Sequence, residues 1–247
     1  MARRRPTVTD IAANLAAVRA RVAAAADRVG RDPSSIRLLP ISKTVPAERL
    51  RAAAAAGLTT FGENKVQEAE TKAEALLDLG LAWSVVGHLQ TNKAKAVARF
   101  ASEFQALDSL RVAEALDRAL SRRERTLEVF IQVNTSGEAT KFGLDPADVA
   151  AFVDALGGFN TLRLKGLMTL AAFTPDVTVV RGCFRRLVEL GVQTEQGLGR
   201  AVDLSMGMSG DFETAIEEGA TVVRVGQAIF GRRATPDADY WPGFAGR

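Results

Sequence analysis

The stretch "IRLLPISKTVPAERLRAAAAAG", residues 36–57, sets the pattern for the whole chain. Its first seven residues are mostly apolar and read as a short strand. A turn at Thr44–Pro46 follows, then an Ala-rich helical segment over 47–56. Further short apolar runs at 58–62, 82–87, 104–107, 127–134, 162–168, 202–205 and 221–226 repeat the first element. Helical segments at 65–79, 92–100, 109–122, 146–156, 177–190 and 211–218 separate most of them. Repeated β-then-α with Gly or polar turns specifies an all-parallel sheet. Eight such units in about 210 residues fit a closed (β/α)8 TIM-type barrel near its minimum size. A doubly wound open sheet is the alternative. An Ala-rich segment at 8–29, capped by Thr9 or Asp10 and ended by Gly30, adds an N-terminal helix. Pro40 removes a ladder donor from the first strand and is expected to mark a bulge.

No Gly/Ser/Pro linker or low-complexity block interrupts the chain, so 1–247 reads as one domain, with 1–7 as a flexible tail. Arg3, Arg4 and Arg5 read as part of that solvated tail. The net charge of +3 carries no dense basic face, and no nucleic-acid motif is present. The apolar runs fall far short of the ~20 residues of a membrane span. No apolar segment follows the N-terminal arginines, so a cytoplasmic protein is expected.

Scarce residue types narrow the chemistry. One Cys (Cys183) excludes an internal disulfide and a Cys-rich zinc site, and one His (His88) excludes a His-rich metal centre. A Ser/His/Asp machine would have to use His88, and no G-x-S-x-G elbow exists.

In a barrel the C-terminal strand ends form the active face. There the sequence places Lys43, Glu63, Asn64, His88, Asn134, Met168, the 205–209 turn, Gly226 and Gln227 as a polar ring. Lys43 shares a face with Leu39 and Ile41 by the two-residue period. A lysine at that position either snorkels to solvent or, desolvated, becomes a Schiff-base nucleophile. The turns in "LSMGMSGDFETA" (204–215) and "RVGQAIFG" (224–231) are either ordinary tight turns or a phosphate cup, with Ser205, Ser209, Gly210, Gly226 and Gln227 as donors. Arg224, two residues before Gly226, points into the barrel. Its partner is either a carboxylate such as Glu63 or a heterocycle nitrogen. An amine, a phosphate cup and an arginine around one cavity describe a site for pyridoxal 5′-phosphate (PLP).

"ISKTVP" (41–46), "FGENKVQE" (61–68), "GHLQTNK" (87–93), "LKGLMTL" (164–170), "LSMGMSGDFETAI" (204–216) and "VRVGQAIFG" (223–231) resemble, in order, the pyridoxal phosphate homeostasis protein family, also called the proline synthase co-transcribed family. That family is similar in fold to the barrel domain of alanine racemases. The resemblance implies that Lys43 carries PLP as an internal aldimine. It implies further cofactor contacts from Asn64, from Met208 and Ser209 in their turn, and from Arg224, Gly226 and Gln227. Two departures stand out. Gln227 replaces a small hydroxyl residue common in the family, leaving the backbone amide for the phosphate. Ser84 stands after Trp83 where many members carry a histidine. His88 reads as a polar strand-end residue.

An arginine at the pyridine nitrogen keeps the ring a weak electron sink, which disfavours transamination and decarboxylation. Racemisation needs an acid–base group on each ring face. Lys43 serves one, and Tyr240, in a C-terminal tail without a matching motif, is a poor candidate for the other. The expected function is therefore PLP handling without turnover, with PLP-dependent apoenzymes as possible recipients. A PLP-dependent racemase and a partner-binding regulator are the alternatives. A monomer is expected, since no racemase-like dimerising domain is present.

Overall fold

A computed structural model describes residues 8–231. The tail containing Arg3–Arg5 and the segment containing Tyr240 lie outside the described residues. Eight strands run parallel: β1 (Arg37–Pro40), β2 (Thr60–Glu63), β3 (Ala82–Val85), β4 (Glu103–Leu107), β5 (Leu127–Gln132), β6 (Leu162–Met168), β7 (Asp203–Ser205) and β8 (Val222–Val225). They lie in the order β1-β8-β7-β6-β5-β4-β3-β2. The edges β1 and β2 meet through a parallel bridge between Ile41 and Gly62. The expected (β/α)8 barrel is thus present.

Helices cover the outer face in chain order: α2 (Ala47–Ala55), α3 (Val66–Ala75), α4 (Ala94–Phe100), α5 (Leu110–Ser121), α6 (Val149–Leu156), α7 (Val177–Leu198), α8 (Phe212–Glu217) and α9 (Gln227–Phe230). The extra N-terminal helix, α1 (Val8–Asp27), buries Ile11, Leu15, Val18, Val22, Ala25 and Ala26. That i, i+3/i+4 stripe packs on α8 and α9, the last elements of the barrel wall. No described helix is long and apolar enough to cross a membrane.

Three details differ from expectation. Pro40 marks no bulge: β1 and β8 stay in register from Arg37↔Val222 to Pro40↔Val225. The amides of Arg37 and Ile41 donate to Thr221 O (2.7 Å) and Val225 O (3.0 Å), so the odd-numbered donors face β8. The donor that Pro40 lacks would face β2, where pairing begins only at the Ile41–Gly62 bridge. The register shifts lie instead in β4/β5 and β5/β6. Below the bridge the seam leaves a cleft of about 540 Å³ beside Arg19, Arg37 and Thr60, at the opposite end from the strand C-termini. Helix α7 runs eight residues beyond the expected end at 190, to Leu198, where Gly199 (φ 66°) stops it. Within that extension Gly191 lets the helix close on β7, since a Cβ there would come within 2.8 Å of Leu204 Cδ2. A last short helix, α9, was not foreseen in "GQAIFG".

Candidate active site at the C-terminal mouth of the barrel

β1 delivers Lys43 into a four-residue turn closed by the Val45 amide on Ser42 O (2.9 Å). Lys43 is buried (4% exposed). Thr44, at the third position of the turn, has φ 65°. That position suits glycine or asparagine, and a β-branched residue there is an outlier that costs roughly 1–3 kcal/mol. The Thr44 amide donates to Glu68 Oε1 on α3 (2.5 Å). The same oxygen accepts from Lys72 Nζ (2.6 Å). Lys72 also donates to Ser42 O (2.8 Å) and to Glu63 Oε1 (2.6 Å). The backbone on both sides of Lys43 is therefore held by one ammonium and its carboxylates.

Glu63 is consequently not a member of the mouth ring, and it is not the partner of Arg224. It is fully buried on the helix-facing side of β2, bonded to Lys72 and to Ser42 Oγ (2.7 Å). The alternate residue Gly62 faces the interior, where a Cβ would lie 2.5 Å from Ile41 Cδ1. Burial pushes the Glu63 carboxyl up to about 7, Lys72 pulling it down and Glu68 adding repulsion. Asn64 follows directly and is half-buried. Its carbonyl is approached so closely by Gly87 that a Cβ on Gly87 would come within 2.1 Å of it. Gly87 is thus required to let the end of β3 pack against Asn64.

Arg224 on β8 points inward as expected and is 4% exposed. Its Nη1 donates to Ser205 Oγ (2.7 Å) and its Nη2 to Thr169 O (2.7 Å). Ser205 in turn donates to Gln105 Oε1 (2.6 Å), and Gln105 Nε2 donates to Glu103 Oε1 (2.7 Å). Glu103 also accepts from Ser84 Oγ (2.7 Å) and Arg37 Nη2 (2.6 Å). Bonds between strands that are not neighbours can only cross the interior, so this chain is a polar column inside the barrel. Burial lowers the Arg224 pKa to about 10, with Asp211 opposing, so the guanidinium stays charged at neutral pH. Two of its five N–H donors are engaged in these bonds.

Ser205 is fully buried and braces Arg224, so it is no donor to the expected phosphate cup. Ser209, in contrast, sits at the rim with Met208 and Gly210. Its hydroxyl accepts from the Gly226 amide (3.3 Å), joining the turns after β7 and β8. Gln227 is half-buried and starts α9. Gly207 (φ 87°) makes the first bend, and a Cβ there would lie 2.6 Å from Ala215 Cβ. The Met208 amide donates to Asp211 Oδ1 (2.5 Å), and burial pushes the Asp211 carboxyl up.

The other members of the ring make local contacts. Asn134 Nδ2 donates to Glu138 O (2.9 Å) within its own loop, and Met168 is buried. His88 stacks on Phe142 (ring centroids 4.1 Å apart) and faces Asp108 (Nδ1–Oδ2 3.4 Å). Sequence reasoning missed Thr169, Lys72, Glu68 and the Glu103/Gln105 pair. The last carried a signal: two polar residues two apart inside "EFQAL" (103–107) mark one strand face.

The family model described as "Alanine racemase, N-terminal domain" matches residues 13–234. The pyridoxal phosphate homeostasis protein of Pseudomonas aeruginosa is 43% identical over 226 residues, covering 92% of this chain and 97% of that protein. The protein of the same name from Escherichia coli K12 is 39% identical over 231 residues, with 92% and 98% covered. Among solved structures, PipY of Synechococcus elongatus with PLP bound is 35% identical (TM-score 0.79), covering 90% of this chain and 100% of that one. An alanine racemase from Clostridium difficile shares the fold (TM-score 0.72) at 13% identity, with 94% and 60% covered.

Proposed function

Because this chain belongs to the pyridoxal phosphate homeostasis proteins of the alanine racemase N-terminal domain family, we propose that it binds PLP at the barrel mouth and serves PLP homeostasis without catalytic turnover. The observation that carries this reading is that Lys43, in the turn after β1, and Arg224, on the adjacent strand β8, are both buried, with the Ser209–Gly226 link in the turns after β7 and β8.

The donor set fits the cofactor. The Lys43 amine, held away from bulk water, would hold the cofactor through its aldehyde. The Ser209 hydroxyl and the amides of Gly226 and Gln227 would hold the phosphate, with Met208 in the same turn. The Ser209 hydroxyl and the Gly226 amide lie 3.3 Å apart, and a phosphate there would receive charge-assisted bonds from both. Asn64 would line the ring. Arg224 would face the pyridine nitrogen with N–H donors that Ser205 and Thr169 do not use. Bound PLP supplies an electrophilic aldehyde and an electron-withdrawing ring.

Arg224 separates a carrier from an enzyme here. A permanent cation at the ring nitrogen disfavours its protonation and keeps the sink shallow. The groups that brace it directly, the Ser205 hydroxyl and the Thr169 carbonyl, are neutral, so among the described residues no carboxylate touches Arg224 to offset its charge at the nitrogen. Limiting free aldehyde and releasing PLP to apoenzymes, as a cytoplasmic monomer, is the role that such a site suits.

The test is direct. Purified protein mixed with PLP and reduced with borohydride should yield a pyridoxyl adduct on the Lys43 peptide by mass spectrometry. The same holoprotein, incubated with L- and D-amino acids, should leave product chirality unchanged. An adduct on Lys65, Lys93 or Lys165 would overturn the linkage, and rapid loss of optical activity would establish racemisation instead.

A further inference from the structure

We infer that Glu68 and Lys72 are positioning residues for Lys43: they hold the Ser42–Val45 turn in a backbone conformation that its own sequence disfavours, and so pre-aim the lysine amine. The inference rests on the reading of Lys43 as the cofactor-linking residue.

Four observations meet at this turn. Thr44 is β-branched yet has φ 65°, a region that such residues avoid. Its amide is held by Glu68 Oε1 at 2.5 Å. The carbonyl of Ser42, on the other side of Lys43, is held by Lys72 Nζ at 2.8 Å. Glu68 and Lys72 are joined to each other at 2.6 Å, one helical turn apart on α3. Two backbone groups flanking one residue are thus gripped by one ion pair from one rigid helix. Glu63, gripped by the same ammonium, ties the assembly to β2.

Folding alone does not call for such a turn. Glycine at position 44 would adopt the same conformation without strain. Strain kept in place by a dedicated clamp, next to the residue that must meet an electrophile, is the signature of pre-organisation. Without the clamp, Thr44 relaxes to negative φ and the peptide planes around Lys43 rotate. The fraction of molecules with a correctly aimed amine then falls, and the bond-forming rate falls in proportion.

The experiment uses four full-length apoproteins: wild type, Glu68→Ala, Thr44→Gly and the double variant. Each is mixed with PLP and quenched with borohydride at intervals, and the Lys43 adduct is counted by mass spectrometry. In the presence of Thr44, Glu68→Ala should slow adduct formation about tenfold, the factor set by one left-handed residue. In the Thr44→Gly background the same replacement should change the rate less than about twofold, because glycine needs no clamp. Affinity for pyridoxine 5′-phosphate, which carries an alcohol where PLP has its aldehyde, should stay within about twofold in all four, since its phosphate contacts lie elsewhere. Equal slowing in both backgrounds would overturn the clamp, as would a parallel loss of pyridoxine 5′-phosphate affinity. A wild-type protein that forms no Lys43 adduct would overturn the underlying reading, and this inference with it. If Glu68→Ala does not fold, Glu68→Met, which keeps the length of the side chain and has no oxygen to accept from the Thr44 amide, supports the same comparison, with rescue by Thr44→Gly again the expected result.

Discussion

Replacing Lys72 with Met should make stability fall with pH over a wider range than in wild type. Methionine keeps much of the aliphatic stem and removes the ammonium. Glu63 is fully buried, and its Oε2 has no hydrogen-bond partner. Burial raises its pKa from 4.5 to about 7 in the folded chain while Lys72 opposes the rise. The folded state therefore holds the proton more tightly than the unfolded chain does. The associated stability is complete below pH 4.5 and is lost as pH rises through 7. At 1.36 kcal/mol per pKa unit this wild-type loss amounts to about 3 kcal/mol. Without Lys72 the folded pKa moves above 7, and the loss continues into alkaline solution at about 1.4 kcal/mol per pH unit. Near pH 5 the variant should therefore lack only ordinary hydrogen bonds, at roughly 1 kcal/mol each. Near pH 8.5 it buries a carboxylate without its cation, a cost of about 3–5 kcal/mol. At 2–4 °C per kcal/mol for a chain of this size, the further loss of about 2 kcal/mol between pH 7 and 8.5 should widen the Tm gap by about 4–8 °C. Thermal and urea denaturation of the apoproteins between pH 5 and 8.5 measures it. Parallel curves, with a gap independent of pH, would show that Glu63 does not titrate in this range and would refute the reasoning.

Ser209→Ala should weaken PLP binding about tenfold or more, the value of one charge-assisted hydrogen bond. Pyridoxal without phosphate should be indifferent to the change, and equal losses for both ligands would exclude Ser209 from the phosphate cup. Nitrogen-15 NMR of labelled PLP in the holoprotein should report an unprotonated pyridine nitrogen; a protonated one would contradict the role of Arg224 and reopen the enzyme reading. Gly87→Ala places a Cβ within 2.1 Å of the Asn64 carbonyl. The resulting backbone shift should cost about 1–3 kcal/mol and weaken PLP binding together with Tm; an unchanged Tm would mean that the two segments do not pack as described.

Much of this protein was decided by local sequence. The switch between two-residue and 3.6-residue periods is set by neighbours in the chain, so the eight β–α units were legible before any contact was known. Lys43 was legible too, because an amine after an apolar strand needs a reason wherever it lands. The 204–215 and 224–231 turns declared themselves through small residues that only tight bends require. What the sequence could not decide was which way buried polar side chains point. β2 is buried along most of both faces, one against the barrel interior and one against helices. Alternation of apolar and polar residues, which normally tells inside from outside, is therefore missing in "TFGE" (60–63). Glu63 read equally well as a mouth residue or as a partner of Arg224. Only the closed sheet sends it outward to Lys72, nine residues along the chain. Arg224 likewise finds a serine 19 residues away and a carbonyl 55 residues away. The strain at Thr44 is invisible in "SKTVP" because threonine has no preference for that conformation. It exists because a helix from the next β–α unit holds the turn there. Local propensity reaches only a few residues along the chain, whereas the desolvation of a buried charge is settled by whatever the folded chain brings within about 3 Å of it.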